Sequence, residues 1–304
     1  MTTVIGSLER NGIIQMKLSI VSTLYMSAPH VEEFVNRARA AAERITTDYE
    51  IILVNDDSPD ESLTIALRLF ESEPCLRVMD LAGNYGHYAA MLAGLAHTRG
   101  DIIFLIDSDL EEAPELLDHL WPELKEGRDV VFAYQLKRSR GFFTNITGEL
   151  FYQVLGLTSG RHLPANAMVA RLMVRDYVDR LTEVRARPIS FDVLTAEVEG
   201  NHFGVGVEKG SGSRTTYTLG RRLGIFVDSL LGYGSAFAVM LCLAGALTLG
   251  AALFVDDRAV CIVGGIVLFA LAGVARTATI ILEELRYRPP HVRRLYSHDL
   301  LSDK

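Results

Sequence analysis

Gly100-Asp101-Ile102-Ile103-Phe104-Leu105-Ile106-Asp107-Ser108-Asp109 is a run of five apolar residues closed by a pair of aspartates one residue apart. Asp101–Ile106 (DIIFLI) reads as the most hydrophobic of a series of strands. Working outward, Lys17–Leu24 (KLSIVSTL) is a β-branched run, and Pro29 and a helical segment over Val31–Arg44 follow it. Glu50–Val54 is a short apolar strand that ends in the turn Asn55-Asp56-Asp57-Ser58-Pro59-Asp60, before a helix over Glu61–Ser72. Leu76–Leu81 is a third strand and Gly86–Thr98 reads as helical. Strands and helices alternating at this spacing predict an α/β domain with a largely parallel, doubly wound sheet. Such sheets bind ligands beyond the carboxyl ends of their strands, where both aspartate clusters fall.

The chain has 304 residues, 38 acidic against 30 basic, a net charge of −8 and a mean hydropathy of +0.20. These averages hide two compositions. Residues 1–213 carry a balance of −11 and residues 214–304 a balance of +3. The acidic block excludes general nucleic-acid binding, which relies on a basic face to neutralise phosphates. Cys75, Cys242 and Cys261 are far apart and form no CxxC pair, so neither a disulfide framework nor a zinc site is expected. Residues 1–16 form an extension without a secretory signal pattern. Neither GxGxxG after a strand nor GxxxxGK[ST] is present, which removes the main support for dinucleotide-oxidoreductase and P-loop readings.

From Ser229 to Val255 no residue is charged. As a helix these 27 residues would run about 40 Å, enough to cross a hydrocarbon core of about 30 Å. After Asp256-Asp257-Arg258, a second apolar stretch, 259–282, is broken by Arg276. Two transmembrane helices are expected, with 214–228 as a juxtamembrane segment and 283–304 as a tail; two buried core helices are the alternative. Arg214, Arg221 and Arg222 precede the first span, and Arg286, Arg288, Arg293 and Arg294 follow the second. The positive-inside rule then places both termini and the catalytic domain, 17–213, on the cytoplasmic face of the inner (plasma) membrane. Arg276 either snorkels to the interface or faces a polar group. Gly245, Gly250, Gly264, Gly265 and Gly273 would allow close helix approach, and a homo-oligomer is one use of it.

Alternation along an extended chain puts Asp107 and Asp109 on one side. Such a pair can hold a hard cation, Mg²⁺ or Mn²⁺, although strand-end aspartates also simply cap turns. Arg138, Arg140, Arg171 and Arg214 are candidates to dock a phosphate, or else form a solvated or headgroup-contacting basic cluster. His87 either touches a diphosphate or is an ordinary surface histidine.

The motifs taken together resemble family-2 glycosyltransferases that use polyprenyl-phosphate acceptors. GDIIFLIDSDLEEAPE (100–115) is similar to that family's GD-(apolar)-DADLQDPPE, and Val54–Asp60 to its VDDGSPD nucleotide-binding turn. Asn84-Tyr85-Gly86 resembles its NFG, Arg171-Leu172-Met173 part of its DFRLM, and 276–290 the segment that closes its membrane hairpin. The resemblance implies a GT-A (Rossmann-like nucleotide-diphospho-sugar transferase) domain followed by a membrane hairpin. It implies inverting transfer of a sugar from a nucleotide-diphospho-sugar to a polyprenyl (undecaprenyl) phosphate. It also implies Asp107 and Asp109 as catalytic metal ligands for Mg²⁺ or Mn²⁺, and Thr23, Tyr25, Asp56, Asp57, Asn84 and Ser108 as nucleotide-binding residues. The chain departs from the pattern at Asp57, where the family has its turn glycine, at Gly83, at Val169 and at Glu111-Glu112. A glycan-extending synthase and a membrane-anchored nucleotide-sugar scaffold without catalysis are the alternatives.

Overall fold

The computed structural model describes residues 16–124, 127–136, 167–184, 191, 194–195, 198–207, 244–250, 258–286 and 289–299. The chain divides into two units, Met1–Ser211 with Pro289–Lys304, and Gly212–Arg288.

In the first unit the expected alternation is present: β1 (Leu18–Leu24), α1 (Val31–Glu43), β2 (Tyr49–Asn55), α2 (Ser62–Ser72), β3 (Leu76–Leu81), α3 (His87–Ala96) and β4 (Ile102–Leu105). Then come α4 (Leu116–Leu124), β5 (Val130–Gln135), β6 (Ala167–Val174), α5 (Arg175–Glu183), β7 (His202–Val207) and, from the far end of the chain, β8 (Val292–Tyr296). One eight-stranded sheet runs in the order β7-β5-β6-β4-β1-β2-β3-β8. Its centre, β4-β1-β2-β3, is parallel. The sheet as a whole is mixed, because β6 runs antiparallel to β4 and β5, and β8 antiparallel to β3.

Every residue of β1 is buried, which helices on both faces of a parallel centre require. Leu18, Ile20 and Leu24 point to one face, where Val31, Phe34, Val35 and Ala38 of α1 and Ala66 and Phe70 of α2 meet them. Val21, with Ile52 and Val54 of β2, points to the other, against Ala90 and Met91 of α3 and Tyr177, Val178 and Leu181 of α5. Gly94 lets α3 lie this close, since a methyl there would come within 2.6 Å of Val21 Cγ1. Trp121 is buried ahead of Pro122 in α4, a packing residue as its setting suggests.

The lower edge of the sheet is tied by a buried ion pair. Glu50 accepts from Arg77 Nη1 at 2.7 Å, from Ser19 Oγ at 2.7 Å and from the Arg99 N–H at 2.6 Å. Burial works against the Glu50 charge, but these bonds outweigh it and hold the carboxyl below its ordinary value. At the upper edge, Asp60 accepts from Ser62 N–H at 3.0 Å, just ahead of α2, and from the Ala28 N–H at 3.0 Å. Its carboxylate thus joins the loop after β1 to the loop after β2.

The segment 283–304 is not simply a tail after the apolar stretch. α6 (Arg258–Arg286) ends the second unit, and residues 289–299 rejoin the first as β8. His298 Nε2 sits 2.8 Å from the Phe70 carbonyl and stacks on the Phe70 ring, and Arg99 pairs with Asp299.

In the second unit, residues 244–250 are helical and approach α6 at two glycines: a methyl on Gly265 would lie 2.5 Å from Leu249 Cγ and 3.1 Å from the Gly245 carbonyl. Gly250, Gly264 and Gly273 meet nothing within 4 Å. Close approach between residues 244–250 and α6 thus uses two of the five glycines singled out from sequence. Thr248 and Thr277 return their hydroxyls to carbonyls of the preceding turn. Among the described residues no helix is long and apolar enough to cross a membrane. Side chains along α6 are described without a break only over 262–275. The anchor expected over 229–255 and 259–282 therefore does not follow from the fold, and most of its first stretch lies outside the described residues, as do 214–228.

Two outcomes follow for stability. Glu50→Ala strands the Arg77 charge in the sheet, with an expected loss of about 3–5 kcal/mol in urea unfolding, whereas Glu50→Leu combined with Arg77→Met costs much less than the sum of the single changes. Bonds from Ser58, Ser62 and Ala28 prevail over burial and hold the Asp60 carboxyl down at about 2. A depressed carboxyl stabilises the fold above its unfolded value near 3.8 and loses that contribution as pH falls toward 2. Asp60→Asn should lower stability by about 1 kcal/mol at pH 6, with the gap to wild type closing between pH 4 and 2 in an acid-unfolding series.

Candidate active site

The parallel register carries β1, β2 and β4 to a common edge: Leu24 lies beside Asn55, and Val21 beside Leu105. The three non-glycine residues with positive φ among the described residues stand in the loops just beyond these strands: Met26 (54°), Asp57 (52°) and Leu110 (60°). A left-handed backbone costs such residues about 1–2 kcal/mol each and persists only where neighbours enforce it. Here Ser58 Oγ accepts the Met26 N–H at 2.8 Å, Arg293 pairs with Asp57 at 3.4 Å, and Asp109 Oδ1 accepts the Glu111 N–H at 2.9 Å.

The Asp107–Asp109 turn hangs from β1. Ser108, buried between the two aspartates, donates to the Thr23 carbonyl at 2.8 Å and lies 3.1 Å from Ser27 Oγ. Its hydroxyl therefore positions the turn. Asp109 reaches solvent, yet the protein packed around it, with the charges of Asp107 and Glu111, lifts its carboxyl above the ordinary value. His87, the first residue of α3, stands between Thr23 Oγ1 (3.0 Å from Nδ1) and Asp107 Oδ1 (3.2 Å from Nε2). Burial opposes the charged imidazole, but Asp107, Asp109 and Asp56 together raise its pKa. The His87–Asp107 approach is an ionic contact, and Asp107 Oδ1 is buried with no aligned hydrogen bond among the described residues.

That buried oxygen bears directly on metal binding. Among the described residues no group of three or more His, Cys, Asp or Glu is placed to hold an ion. The available donors are the Asp107–Asp109 pair, and carboxylate oxygens are the ligands a hard cation prefers. The pair fits Mg²⁺ or Mn²⁺ with its remaining positions filled by substrate oxygens and water, the usual habit of Mg²⁺.

The residues expected to bind a nucleotide divide into two groups. Tyr25, 51% exposed, and Asn84 and Asp57, also exposed, face outward around the strand ends. Thr23 and Asp56 are buried. Asp56 accepts the N–H of Tyr85 at 2.7 Å and of Gly86 at 2.9 Å, so its carboxylate braces the turn that leads into α3, where Gly86 adopts φ 90°. Burial raises its pKa despite those two bonds.

Among the expected phosphate-docking arginines, Arg138, Arg140 and Arg214 lie outside the described residues. Arg171 is 3% exposed; it donates to the Val169 and Met168 carbonyls, both at 3.0 Å, and its guanidinium lies over the Phe191 ring. It is a charge held within the fold near the end of β4, where it pairs with Leu105. Sequence reading missed Glu112, which accepts the N–H groups of Val169 (2.9 Å) and Ala170 (2.6 Å) and so fixes the start of β6 to the Asp107 loop. Burial, then the Asp107 charge, push its carboxyl up to about 7. Also missed were Asp80 and Arg293, whose meeting depends on β8.

Comparison with known proteins agrees with this geometry. Residues 19–182, more than half the chain, match the family described as Glycosyl transferase family 2. A glycosyltransferase from Mycobacterium tuberculosis (strain CDC 1551 / Oshkosh) is 36% identical over 94% of this chain and 90% of its own. An undecaprenyl-phosphate 4-deoxy-4-formamido-L-arabinose transferase from Enterobacter sp. (strain 638) is 31% identical over 59% of this chain. The match covers only 55% of that relative, so this chain spans about half its length. Among solved structures, glucosyl-3-phosphoglycerate synthase from M. tuberculosis, in complex with phosphoglyceric acid, shares the fold at a TM-score of 0.51 and 20% identity, over 78% of this chain and 82% of that one. With strand-end aspartates on a GT-A sheet and these matches in sequence, the chain belongs to Glycosyl transferase family 2 and is a glycosyltransferase.

Proposed function

We propose that this glycosyltransferase moves a sugar, with inversion at the anomeric carbon, from a nucleotide-diphospho-sugar to a polyprenyl phosphate, undecaprenyl phosphate being the expected lipid, at the cytoplasmic face of the membrane. The observation that carries the transferase chemistry is the Asp107–Asp109 carboxylate pair just beyond β4, with Asp107 Oδ1 buried against His87 and Asp109 reaching solvent. The lipid acceptor is supported by the 31% identity to the Enterobacter undecaprenyl-phosphate transferase and by the apolar C-terminal stretches. Exposed side chains on α6 and its partner agree with a lipid setting: Leu247 is 74% and Val274 67% exposed, with Val263, Ile266 and Leu271 also outward.

Tyr25, Asn84 and Asp57 surround the space for the base and ribose, while Thr23 and Asp56 shape it from beneath. Asp107 and Asp109 would hold the divalent ion, and His87, 3.2 Å from Asp107 Oδ1, orients Asp107. When bound, Mg²⁺ or Mn²⁺ neutralises charge developing on the nucleoside diphosphate as it leaves. The sugar passes through an oxocarbenium-like state, and the acceptor enters from the opposite face. A phosphate monoester, with its second pKa at about 6, is already ionised at neutral pH and needs no strong base. Consistent with this, Glu112, whose carboxyl burial pushes up to about 7, turns both oxygens toward backbone N–H groups. Docking the acceptor phosphate falls to Arg138, Arg140 and Arg214, with Arg171 adding positive charge from within the fold. The positive-inside pattern of the flanking arginines supports a cytoplasmic position for the catalytic unit and both termini.

The test is transfer itself: protein in detergent, undecaprenyl phosphate, Mg²⁺ or Mn²⁺, and a panel of UDP-, GDP- and dTDP-sugars. A lipid-linked sugar should form with at least one donor, disappear with EDTA and fall by about 10³-fold or more in Asp109→Asn. Transfer only to a growing glycan would favour a synthase. Nucleotide-sugar binding without turnover on any acceptor would favour a scaffold.

A further inference from the structure

β8 returns the chain to the edge of the sheet after the second unit, and its second residue, Arg293, reaches the loop after β2. Its Nη1 donates to Asp80 Oδ2 at 3.0 Å; its Nη2 donates to the Ala82 carbonyl at 3.2 Å and lies 3.4 Å from Asp57 Oδ1. Asp80 is buried, and its other oxygen accepts Asn55 Nδ2 at 2.9 Å, while Asn55 Oδ1 accepts the Ser58 N–H at 3.3 Å. Residues 55–58 are therefore gripped from both ends. Asp57 sits at the one point in that grip with a left-handed backbone, φ 52°, where a β-carbon is unfavourable and glycine would be easy. Its carboxylate is half exposed, and Oδ2 has no hydrogen-bond partner among the described residues.

We propose that Arg293 is a donor-positioning residue: it fixes the strained Asp57 so that the free carboxylate oxygen accepts a hydrogen bond from the nucleoside of the donor, at a base imide N–H or a ribose hydroxyl. This rests on the reading of the strand-end cleft as a nucleotide-diphospho-sugar site, and it assigns donor recognition to a residue 236 positions from the turn it orders. Arg293 gives one of its hydrogens to Asp57 and leaves the second oxygen for ligand. An arginine can do this while still holding Asp80 and the Ala82 carbonyl, because its fork presents several donors at once; a lysine offers a single point charge.

The experiment is calorimetric titration of UDP, GDP and dTDP, each with Mg²⁺, into the full chain and into Arg293→Ala, Arg293→Lys, Asp57→Gly and the Asp57→Gly/Arg293→Ala double variant, with the unfolding midpoint of each recorded. Whichever nucleotide binds wild type best should bind Arg293→Ala about three- to tenfold more weakly, with Arg293→Lys in between. In turnover the loss should fall on the donor KM more than on kcat. In the Asp57→Gly background, removing Arg293 should leave the nucleotide Kd unchanged within twofold. An unchanged Kd in Arg293→Ala overturns the proposal. So does an equal loss with and without Asp57, which would make Arg293 a structural brace acting through Asp80. Should Arg293→Ala not fold, Arg293→Lys carries the same comparison in both backgrounds. If wild type binds none of the three nucleotides, the transferase reading itself falls and takes this assignment with it.

Discussion

Parallel strands whose ends lie side by side are the constraint on which the rest of this molecule depends. β1, β2 and β4 pair in register, so their loops must share one small space, and backbone groups at three strand ends converge there without pairing partners in the sheet. Side chains satisfy them: Ser108 takes the Thr23 carbonyl, Asp56 the Tyr85 and Gly86 N–H groups, and Asp60 the Ala28 N–H. Together with the Ser58, Arg293 and Asp109 contacts at the three left-handed residues, these bonds fix the loops and leave Asp107 and Asp109 at the edge. Acidic residues accumulate there because carboxylates satisfy several N–H donors at once, and two of them are left over for chemistry.

A division of labour follows that motif spelling alone does not reveal. Asp56 and Ser108 lie within nucleotide-binding motifs by resemblance, but both are buried and committed to backbone or neighbouring hydroxyl groups. Their influence on a ligand passes through the turns they shape. Asp57 and Asp109, next to them or one residue away, are the exposed members. Arg171 shows the same contrast from the basic side, with its guanidinium returned to carbonyls of its own strand.

The sheet's parallel centre was legible because each strand is a short apolar run bounded by turn residues, and each helix follows at the spacing of a β-α unit. β1 through β4 and the helices between them match the expected bounds within two residues or so at each end. β5 to β8 escaped notice for a physical reason. β7, HFGVGV, has two glycines and only partly buried residues, so it carries little strand signal. β8, VRRLY, looks like the basic flank of an apolar segment, and its strand character exists only through pairing with β3. The same distance hid Arg293 from Asp57. The chemistry at Asp107 and Asp109 was readable from two carboxylates after an apolar strand; the contacts that hold their turn, from His87 to Asp107 and from Ser27 to Ser108, come from other loops and needed the fold.

The central claim is that Asp107 and Asp109 jointly hold a divalent ion together with the donor diphosphate. Electron paramagnetic resonance of Mn²⁺ titrated into the purified chain, with and without UDP, tests it most directly. Mn²⁺ should bind weakly alone and at least about tenfold more tightly with UDP, because diphosphate oxygens complete a coordination shell that two carboxylates begin. Asp109→Asn should lose that UDP-dependent binding while keeping its unfolding midpoint. UDP-dependent Mn²⁺ binding that survives Asp109→Asn and Asp107→Asn unchanged would contradict the account.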